Sequence, residues 1–419
     1  MTKPQAPAKS VTRWSWMVQA VRGDRVGGIA LTVASVVALA WANWPGSHSY
    51  LRVWDAMAPW SRPLGLHLSV RDWVNEGLML GFFAGVGLEI RREVVAGELR
   101  SWRRAAVPVL AAVGGMAVPA LIYAVWVAGG QGSHGWGIPM ATDVAFALGA
   151  LALLGRGVSA RARTFLMTLA VADDILSIII LVIFYSQRIS FDWLLGGLGC
   201  LVVMTVARLR WQPPGWAILA LGMVAWWAML KAGVEASVIG AAIGALAPRS
   251  RSRQEGQAGV VAPGVRRWEL RLEPWVNVVV LPVFAVANVG LSFVGSGLGT
   301  PVALRIFAAV AVARIIGKPL GITATTWLVR RLGSSSPATR LERRSLLGLG
   351  SVAAIGFTVP LLIIRAALPV GPETAGATAG LLAASVIAVG EGALVLRVRR
   401  RPKVAHPASR RVPTDGSPA

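Results

Sequence analysis

Two adjacent aspartates, Asp173 and Asp174, lie near the middle of an apolar stretch, residues 163–185, that is long enough to cross a bilayer. An aspartate at the centre of a membrane helix costs roughly 2.5–3.5 kcal/mol, so two in succession indicate a functional requirement. Ionising both carboxyl groups at a separation of ~6 Å costs about 3 kcal/mol more at an effective dielectric constant of ~20. The pattern predicts a pair that releases a proton when a cation binds. The alternative is a pair of acids that basic partners neutralise for helix packing.

Polar residues also lie within two other apolar stretches, 139–155 and 303–328. Thr142 and Asp143 follow Gly137-Ile138-Pro139, and there a hydroxyl, a carboxylate and freed backbone carbonyls offer the oxygen ligands that a small hard cation prefers. Thr142 and Asp143 are also suited to cap the helix that follows, and the two roles are compatible. Lys318, beside the helix-bending Pro319, is expected to pair with an aspartate or to offset the negative ends of half-helices.

Several charged residues lie near the ends of apolar stretches. Glu89, Glu93 and Glu269 would form an acidic cluster, with nearby arginines, at one mouth of the protein. The alternative is a run of solvated charges. Arg314 precedes Lys318 by one helical turn, where two cations repel each other. For Arg314 we expect an interfacial position or a structural ion pair.

The composition is that of a membrane protein with many spans. Of the 419 residues, 55% are hydrophobic and 15% are charged, whereas soluble domains are about 25% charged. We predict an all-α membrane protein with about twelve transmembrane helices. The predicted spans are 27–44, 73–90, 105–128, 139–155, 163–185, 192–207, 214–230, 233–248, 274–294, 303–328, 345–366 and 374–396.

The distribution of basic residues predicts the orientation. With the N-terminus inside, the inner segments contain 33 of the 42 lysines and arginines and the outer segments contain 7. The positive-inside rule therefore places both termini in the cytoplasm. The net charge of +23 is then explained by loops that lie against an anionic leaflet, and no nucleic-acid partner is expected. We expect a cytoplasmic segment at 1–26, a single transmembrane domain at 27–396 and a basic, disordered cytoplasmic tail at 397–419.

Glycine and proline interrupt the fourth span at 137–143 and the eleventh at 356–360. Interruptions in two separated halves of a chain indicate discontinuous helices around a site at the membrane midplane. Spans three to five and spans ten to twelve would then be the two units of an inverted repeat.

Five motifs together resemble the NhaA family of bacterial sodium/proton antiporters over about residues 20–400. In chain order they are Gly87-Leu88-Glu89-Ile90-Arg91-Arg92-Glu93, Ala141-Thr142-Asp143-Val144-Ala145-Phe146-Ala147-Leu148-Gly149, Ala172-Asp173-Asp174, Gly317-Lys318-Pro319-Leu320-Gly321 and Ile355-Gly356-Phe357-Thr358. The resemblance implies a twelve-helix inverted repeat in which the interrupted spans four and eleven cross. It implies a secondary transporter and not an enzyme, without a cofactor, in the bacterial inner membrane. The implied activity is electrogenic, pH-regulated exchange of cytoplasmic Na⁺ or Li⁺ for external protons by alternating access.

The resemblance also implies a role for each residue of the site. Asp174 would be the main ligand of the transported cation, and Asp173 would pair with Lys318 until a cation or a proton change releases them. Thr142 and Asp143 would line the crossing of the two interrupted spans.

Two further implications concern the edges of the protein. Glu89, Glu93 and Glu269 fall where the family has a cytoplasmic cluster that responds to pH. The outer loop 45–72 falls where the family forms a homodimer contact.

Three residues depart from the family pattern. Glu235 replaces an expected histidine, which leaves the pH profile open. Pro360 replaces a small hydroxyl residue and would shift the break in the eleventh span. Arg314 is a cation without a counterpart in the pattern.

Other functions would leave different signatures. A sodium-coupled symporter on the same architecture would need a roomy apolar pocket for a small organic substrate. An intramembrane aspartyl protease would need aspartates on two facing helices, and Asp143 could supply the second. A passive channel would conduct ions without counter-transport.

Overall fold

The computed structural model describes residues 24–45, 49–154, 158–186, 189–211, 213–235, 237–246, 272–332 and 341–397. Within these ranges all the extended regular structure is helical, and strand-like pairing is limited to one antiparallel bridge between Met57 and Ser69. The prediction of an all-α protein is therefore confirmed for this part of the chain. The terminal segments, where a cytoplasmic N-terminus and a basic tail are expected, lie almost entirely outside the described residues.

The helices are numbered here in chain order. They are α1 Asp24–Ala42, α2 Ser49–Trp54, α3 70–96, α4 Trp102–Trp126, α5 Val144–Leu154, α6 Ala160–Tyr185, α7 Phe191–Arg210, α8 Gly215–Ala232, α9 Ser237–Ala245, α10 Leu272–Asn288, α11 Pro301–Arg331, α12 Arg343–Ala353, α13 Thr358–Ala367 and α14 Pro372–Arg397.

Each predicted span overlaps at least one of these helices. Among the described residues, six helices are long and apolar enough to cross a membrane, namely α4, α6, α7, α8, α11 and α14. Helices α12 and α13 meet at an angle of 56° and together have the length and composition of a seventh span. Helices α1 and α10 are shorter and apolar. The lengths and compositions of these helices are those of a membrane protein with several spans.

The interruptions predicted for the fourth and eleventh spans are present. Before α5, a 3₁₀ turn at Ser133–Gly137 is followed by non-helical residues 141–143. Between α12 and α13 the helix is lost at 355–357. Pro360 is the third residue of α13, where a backbone N–H has no helical partner in any case. Pro360 therefore fits into the first turn of α13 without the loss of a helical hydrogen bond.

Three of the described helices contain a π turn, at Trp73–Leu78 in α3, at Val276–Val280 in α10 and at Ala313–Gly317 in α11. The third turn ends directly before Lys318 and Pro319. Because proline has no N–H to donate, the helical hydrogen-bond ladder must change there, and the wider turn absorbs the change. The same turn carries Arg314, and both Arg314 and Lys318 are buried.

Glycines allow α3 and α9 to approach closely. A Cβ at Gly244 of α9 would overlap the carbonyl oxygen of Ala84 in α3, and a Cβ at Gly87 of α3 would overlap the carbonyl oxygen of Ala241 in α9. Small residues are the usual basis of close helix packing in membranes, because there the hydrophobic effect does not drive helices together. The contact holds α3, which carries Glu89 at its end, in place beside the core.

We expect Gly244→Ala to destabilise the protein by about 1–3 kcal/mol, because the new methyl group forces α3 and α9 apart. The measurement is thermal unfolding of the detergent-solubilised protein. Gly199→Ala on α7 is the matched control, since a Cβ there meets no atom within 4 Å. Equal melting temperatures for the two variants would contradict the close packing of α3 and α9.

Candidate functional site

The two breaks are hydrogen-bonded to each other. The N–H of Asp143 donates to the carbonyl of Ile355 at 3.1 Å. The Thr142 hydroxyl donates to the carbonyl of Ala353 at 2.9 Å. Asp143 and Thr142 are buried. Backbone groups that each break frees are thus satisfied by the other break, as an environment without water demands.

Asp143 lies at the N-terminal ends of both second half-helices. One carboxylate oxygen accepts the Thr358 hydroxyl at 3.0 Å and the Thr358 N–H at 3.4 Å, at the start of α13. The other oxygen accepts the N–H of Phe146 in the first turn of α5 at 3.4 Å. A carboxylate in this position offsets the positive ends of two helix dipoles. The capping role that the sequence allowed for Asp143 is present at α5, and it extends to α13.

Asp173 and Lys318 form an ion pair between α6 and α11. Lys318 Nζ lies 2.9 Å from Asp173 Oδ2, and both side chains are 1% exposed. The same oxygen accepts the N–H of Thr142 at 2.7 Å, and Lys318 also donates to the carbonyl of Met140. Asp173 Oδ1 has no hydrogen-bond partner among the described residues. Asp173 and Lys318 therefore tie α6 and α11 to the first break.

Asp174 lies in a cavity of about 300 Å³. Because successive residues on an α-helix point in directions about 100° apart, Asp174 and Asp173 have different neighbours. Asp174 has no hydrogen bond or ion pair within the part of the chain that the structure describes. The polar residues that line the cavity are Glu89, Arg92, Thr142, Asp143, Asp174, Glu273, Asn277 and Thr358. The cavity thus extends from the two breaks to the ends of α3 and α10 that are predicted to be cytoplasmic.

The three acids proposed for the cytoplasmic cluster have different surroundings. Glu89 lines the cavity, and its Oε1 lies 3.4 Å from Nη2 of Arg92, one turn further along α3. Glu93 is buried elsewhere and accepts the N–H of Glu98 at 3.2 Å. Glu269 lies outside the described residues. Of the two described acids, Glu89 lies at the cavity, where Glu273 joins it, and Glu93 does not.

Sequence reasoning missed the contact of Thr358 with Asp143, although Thr358 directly follows the break in the eleventh span. The expectation for Arg314 was wrong. Arg314 is not interfacial but fully buried, and its guanidinium donates to three backbone carbonyls. The position of Arg314 within an apolar span, one turn before Lys318, was a signal of a buried charge. The sequence did not show which groups would accept its hydrogen bonds.

Comparison with known proteins finds similarity along almost the whole chain. The family model for Na⁺/H⁺ antiporter 1 matches residues 18–396. A Na⁺/H⁺ antiporter NhaA of Frankia casuarinae is 40% identical over 406 residues, which cover 93% of this chain and 89% of the relative. One of Thermobifida fusca is 40% identical over 411 residues, which cover 94% and 96%. The Na⁺/H⁺ antiporter NhaA 1 of Kineococcus radiotolerans is 37% identical over 437 residues, which cover 99% and 98%.

Glu93, which lies beyond the predicted apolar span 73–90, should make stability depend on pH. Burial raises the pKa of Glu93, against the smaller lowering effects of the Glu98 N–H and of Arg92. Because the folded protein then holds the proton more tightly than the unfolded chain, stability falls as pH rises from the ordinary carboxyl pKa through the raised one.

Glutamine cannot ionise, so we expect the melting temperature of Glu93→Gln to increase relative to wild type between about pH 4.5 and pH 8. Asp192→Asn, which removes an exposed carboxylate in the first turn of α7, is the control. A difference that is constant with pH, or that falls as pH rises, would contradict the burial of an ionisable group at this position.

Proposed function

The chain belongs to the Na⁺/H⁺ antiporter 1 family, and from this premise we propose that it exchanges cytoplasmic Na⁺ or Li⁺ for external protons by alternating access. The observation that carries the proposal is the cavity that Asp174, Thr142 and Asp143 line together, beside the Asp173–Lys318 ion pair. Ion gradients drive such an exchange, so it requires no enzymatic reaction and no cofactor. In the bacterial inner membrane this activity serves pH homeostasis and salt tolerance.

In the proposed exchange Asp174 is the main ligand of the cation. Its carboxylate is the one acid of the three that the scaffold does not engage, whereas Asp143 and Asp173 accept hydrogen bonds from the breaks. Oxygen atoms of Thr142 and Asp143 line the same cavity, and oxygen ligands suit a small hard cation. Asp173 becomes available when Lys318 leaves it, and the cation then has two adjacent carboxylates within reach.

Cations and protons compete because both neutralise the same buried charges. One proton can be carried on Asp174 and a second on either member of the Asp173–Lys318 pair. An exchange of more protons than cations moves net charge across the membrane, which makes the transport electrogenic. The acids on the cytoplasmic side of the cavity, with Glu89 among them, are proposed to set the pH at which exchange begins.

The proposed architecture has twelve transmembrane helices with spans four and eleven crossing at the midplane. The hydrogen bonds between the two breaks support this crossing. Helices α4–α6 and α11–α14 would be the two units of the inverted repeat. Both termini are proposed to be cytoplasmic, and reporter fusions at each terminus test this topology.

A homodimer is proposed through the outer loop 45–72. Met57, Trp60 and Leu64 on this loop are exposed apolar side chains, as expected for a surface that meets a partner. We expect the detergent-solubilised protein to have the mass of a dimer and a variant that lacks 57–69 to have the mass of a monomer. A monomeric wild type would contradict the dimer.

The alternative, a sodium-coupled symporter of a small organic substrate, gains no support from relatives that are named as Na⁺/H⁺ antiporters.

Asp174→Asn should abolish exchange, because asparagine can neither carry the proton nor supply the charge that binds Na⁺. The assay uses proteoliposomes with an acidic interior and a pH-sensitive dye in the lumen. For the wild type we expect the lumen to become alkaline when Na⁺ or Li⁺ is added outside, and to remain acidic with K⁺.

Asp192→Asn is the matched control, since Asp192 is an exposed carboxylate in the first turn of α7. It should exchange ions as the wild type does. Loss of the pH gradient without any added cation would indicate a channel. Absence of a Na⁺ response at every pH would overturn the proposed function.

A further inference from the structure

Arg314 is a charged residue for which the proposed exchange has no role. It lies on the π turn of α11, one turn before Lys318, and its side chain has no exposed surface. An arginine in the middle of a membrane helix is costly unless its charge meets a specific partner. The position of Arg314 therefore requires an explanation.

The Arg314 guanidinium donates hydrogen bonds to both breaks. Nη2 donates to the carbonyl of Ala141 at 2.9 Å and Nη1 to the carbonyl of Ile138 at 3.3 Å, both before α5. Nε donates to the carbonyl of Ala354 at 3.0 Å, directly after α12. One side chain of α11 thus joins the carbonyl ends of the two interrupted spans.

Carbonyl ends of helical segments carry partial negative charge, which a nearby cation stabilises. Three carbonyls from two chain segments also match the planar fork of a guanidinium better than they match an ammonium group. The backbone passes close to this fork, since a Cβ at Gly356 would overlap Nη2 of Arg314. Arg314 is therefore enclosed by the two breaks and not merely near them.

Lys318 and Arg314 have different roles in the proposed exchange. Lys318 shares its charge between the carbonyl of Met140 and the carboxylate of Asp173, and in the proposed function it releases Asp173 in each cycle. The guanidinium of Arg314 does not lose its proton, and its hydrogen bonds go to backbone carbonyls. Its contacts to the breaks can persist while Lys318 changes partner.

We propose that Arg314 is a positioning residue for the cation site, a fixed charge that fastens the two breaks together while Lys318 exchanges partners. This inference rests on the proposed function. The chain continues from Ala141 directly into Thr142 and Asp143, and the N–H of Asp143 is bonded to Ile355 of the other break. A shift of the carbonyl ends would therefore move the oxygen atoms proposed to bind the cation.

The test compares Arg314→Met and Arg314→Lys with wild type in proteoliposomes, with KM for Na⁺ and for Li⁺ measured as a function of pH. Without the guanidinium, the ligands are displaced, and we expect Arg314→Met to raise KM about tenfold or more at every pH. Lysine restores the charge but can lose its proton. For Arg314→Lys we therefore expect a KM at low pH between those of wild type and Arg314→Met, because the charge is restored but the fork is not, and a ratio to wild type that rises with pH.

Arg305→Lys is the matched control. Arg305 also lies on α11 and also donates to a backbone carbonyl, that of Trp126, but on an exposed surface away from the breaks. Its KM should equal that of wild type at each pH.

The outcomes separate this inference from the function on which it rests. A wild type that does not exchange Na⁺ for protons would reject the proposed function. If the wild type exchanges normally, two results together would overturn the role of Arg314. These are an unchanged KM in Arg314→Met and a ratio of the KM of Arg314→Lys to that of wild type that does not vary with pH. If Arg314→Met does not fold, the pH dependence of Arg314→Lys decides alone. A lower yield of active protein with unchanged KM would indicate a structural role only and would also overturn the inference.

Discussion

Two interrupted helices leave free carbonyl and N–H groups in the middle of a membrane protein, and the need to satisfy these groups constrains the whole centre of the molecule. The carbonyl ends receive donors from Arg314, Lys318 and Thr142. The N–H ends meet the carboxylates of Asp143 and Asp173. Cations thus lie at the negative helix ends and acids at the positive ones, so backbone and side-chain charges stabilise each other.

The same arrangement distinguishes the acids of the site by function. Asp143 and Asp173 accept hydrogen bonds from backbone N–H groups at the breaks. A change in their protonation therefore also changes the hydrogen bonds that join the breaks. Asp174 is next to Asp173 in sequence but lines the cavity, and the proposed cation would reach it without first breaking a hydrogen bond to the breaks. In the proposed exchange, cation binding at Asp174 is therefore coupled, through Asp173 and Lys318, to the contacts that join the two breaks.

Outside the centre, close packing of small residues replaces charge pairing. Gly87 and Gly244 bring the backbones of α3 and α9 together, and α3 in turn carries Glu89 to the cavity. The path from the cavity to the predicted cytoplasmic side is thus built on a helix pair with little freedom to separate. The contact that the proposed exchange breaks and re-forms, between Asp173 and Lys318, is by contrast a polar one.

The sequence by itself determined the helical class, the membrane setting, the places of both breaks and the unusual pair Asp173–Asp174. These features depend on local properties, namely runs of apolar residues, glycine and proline, and buried charge. Only the tertiary structure decided which groups meet. In the folded protein Thr358 donates to Asp143, and Arg314 donates to three backbone carbonyls. Glu89 lines the cavity, whereas Glu93 lies away from it. The reason is that each such contact depends on the rotation of one helix against another and on the direction of a side chain, and neither is encoded by spacing along the chain.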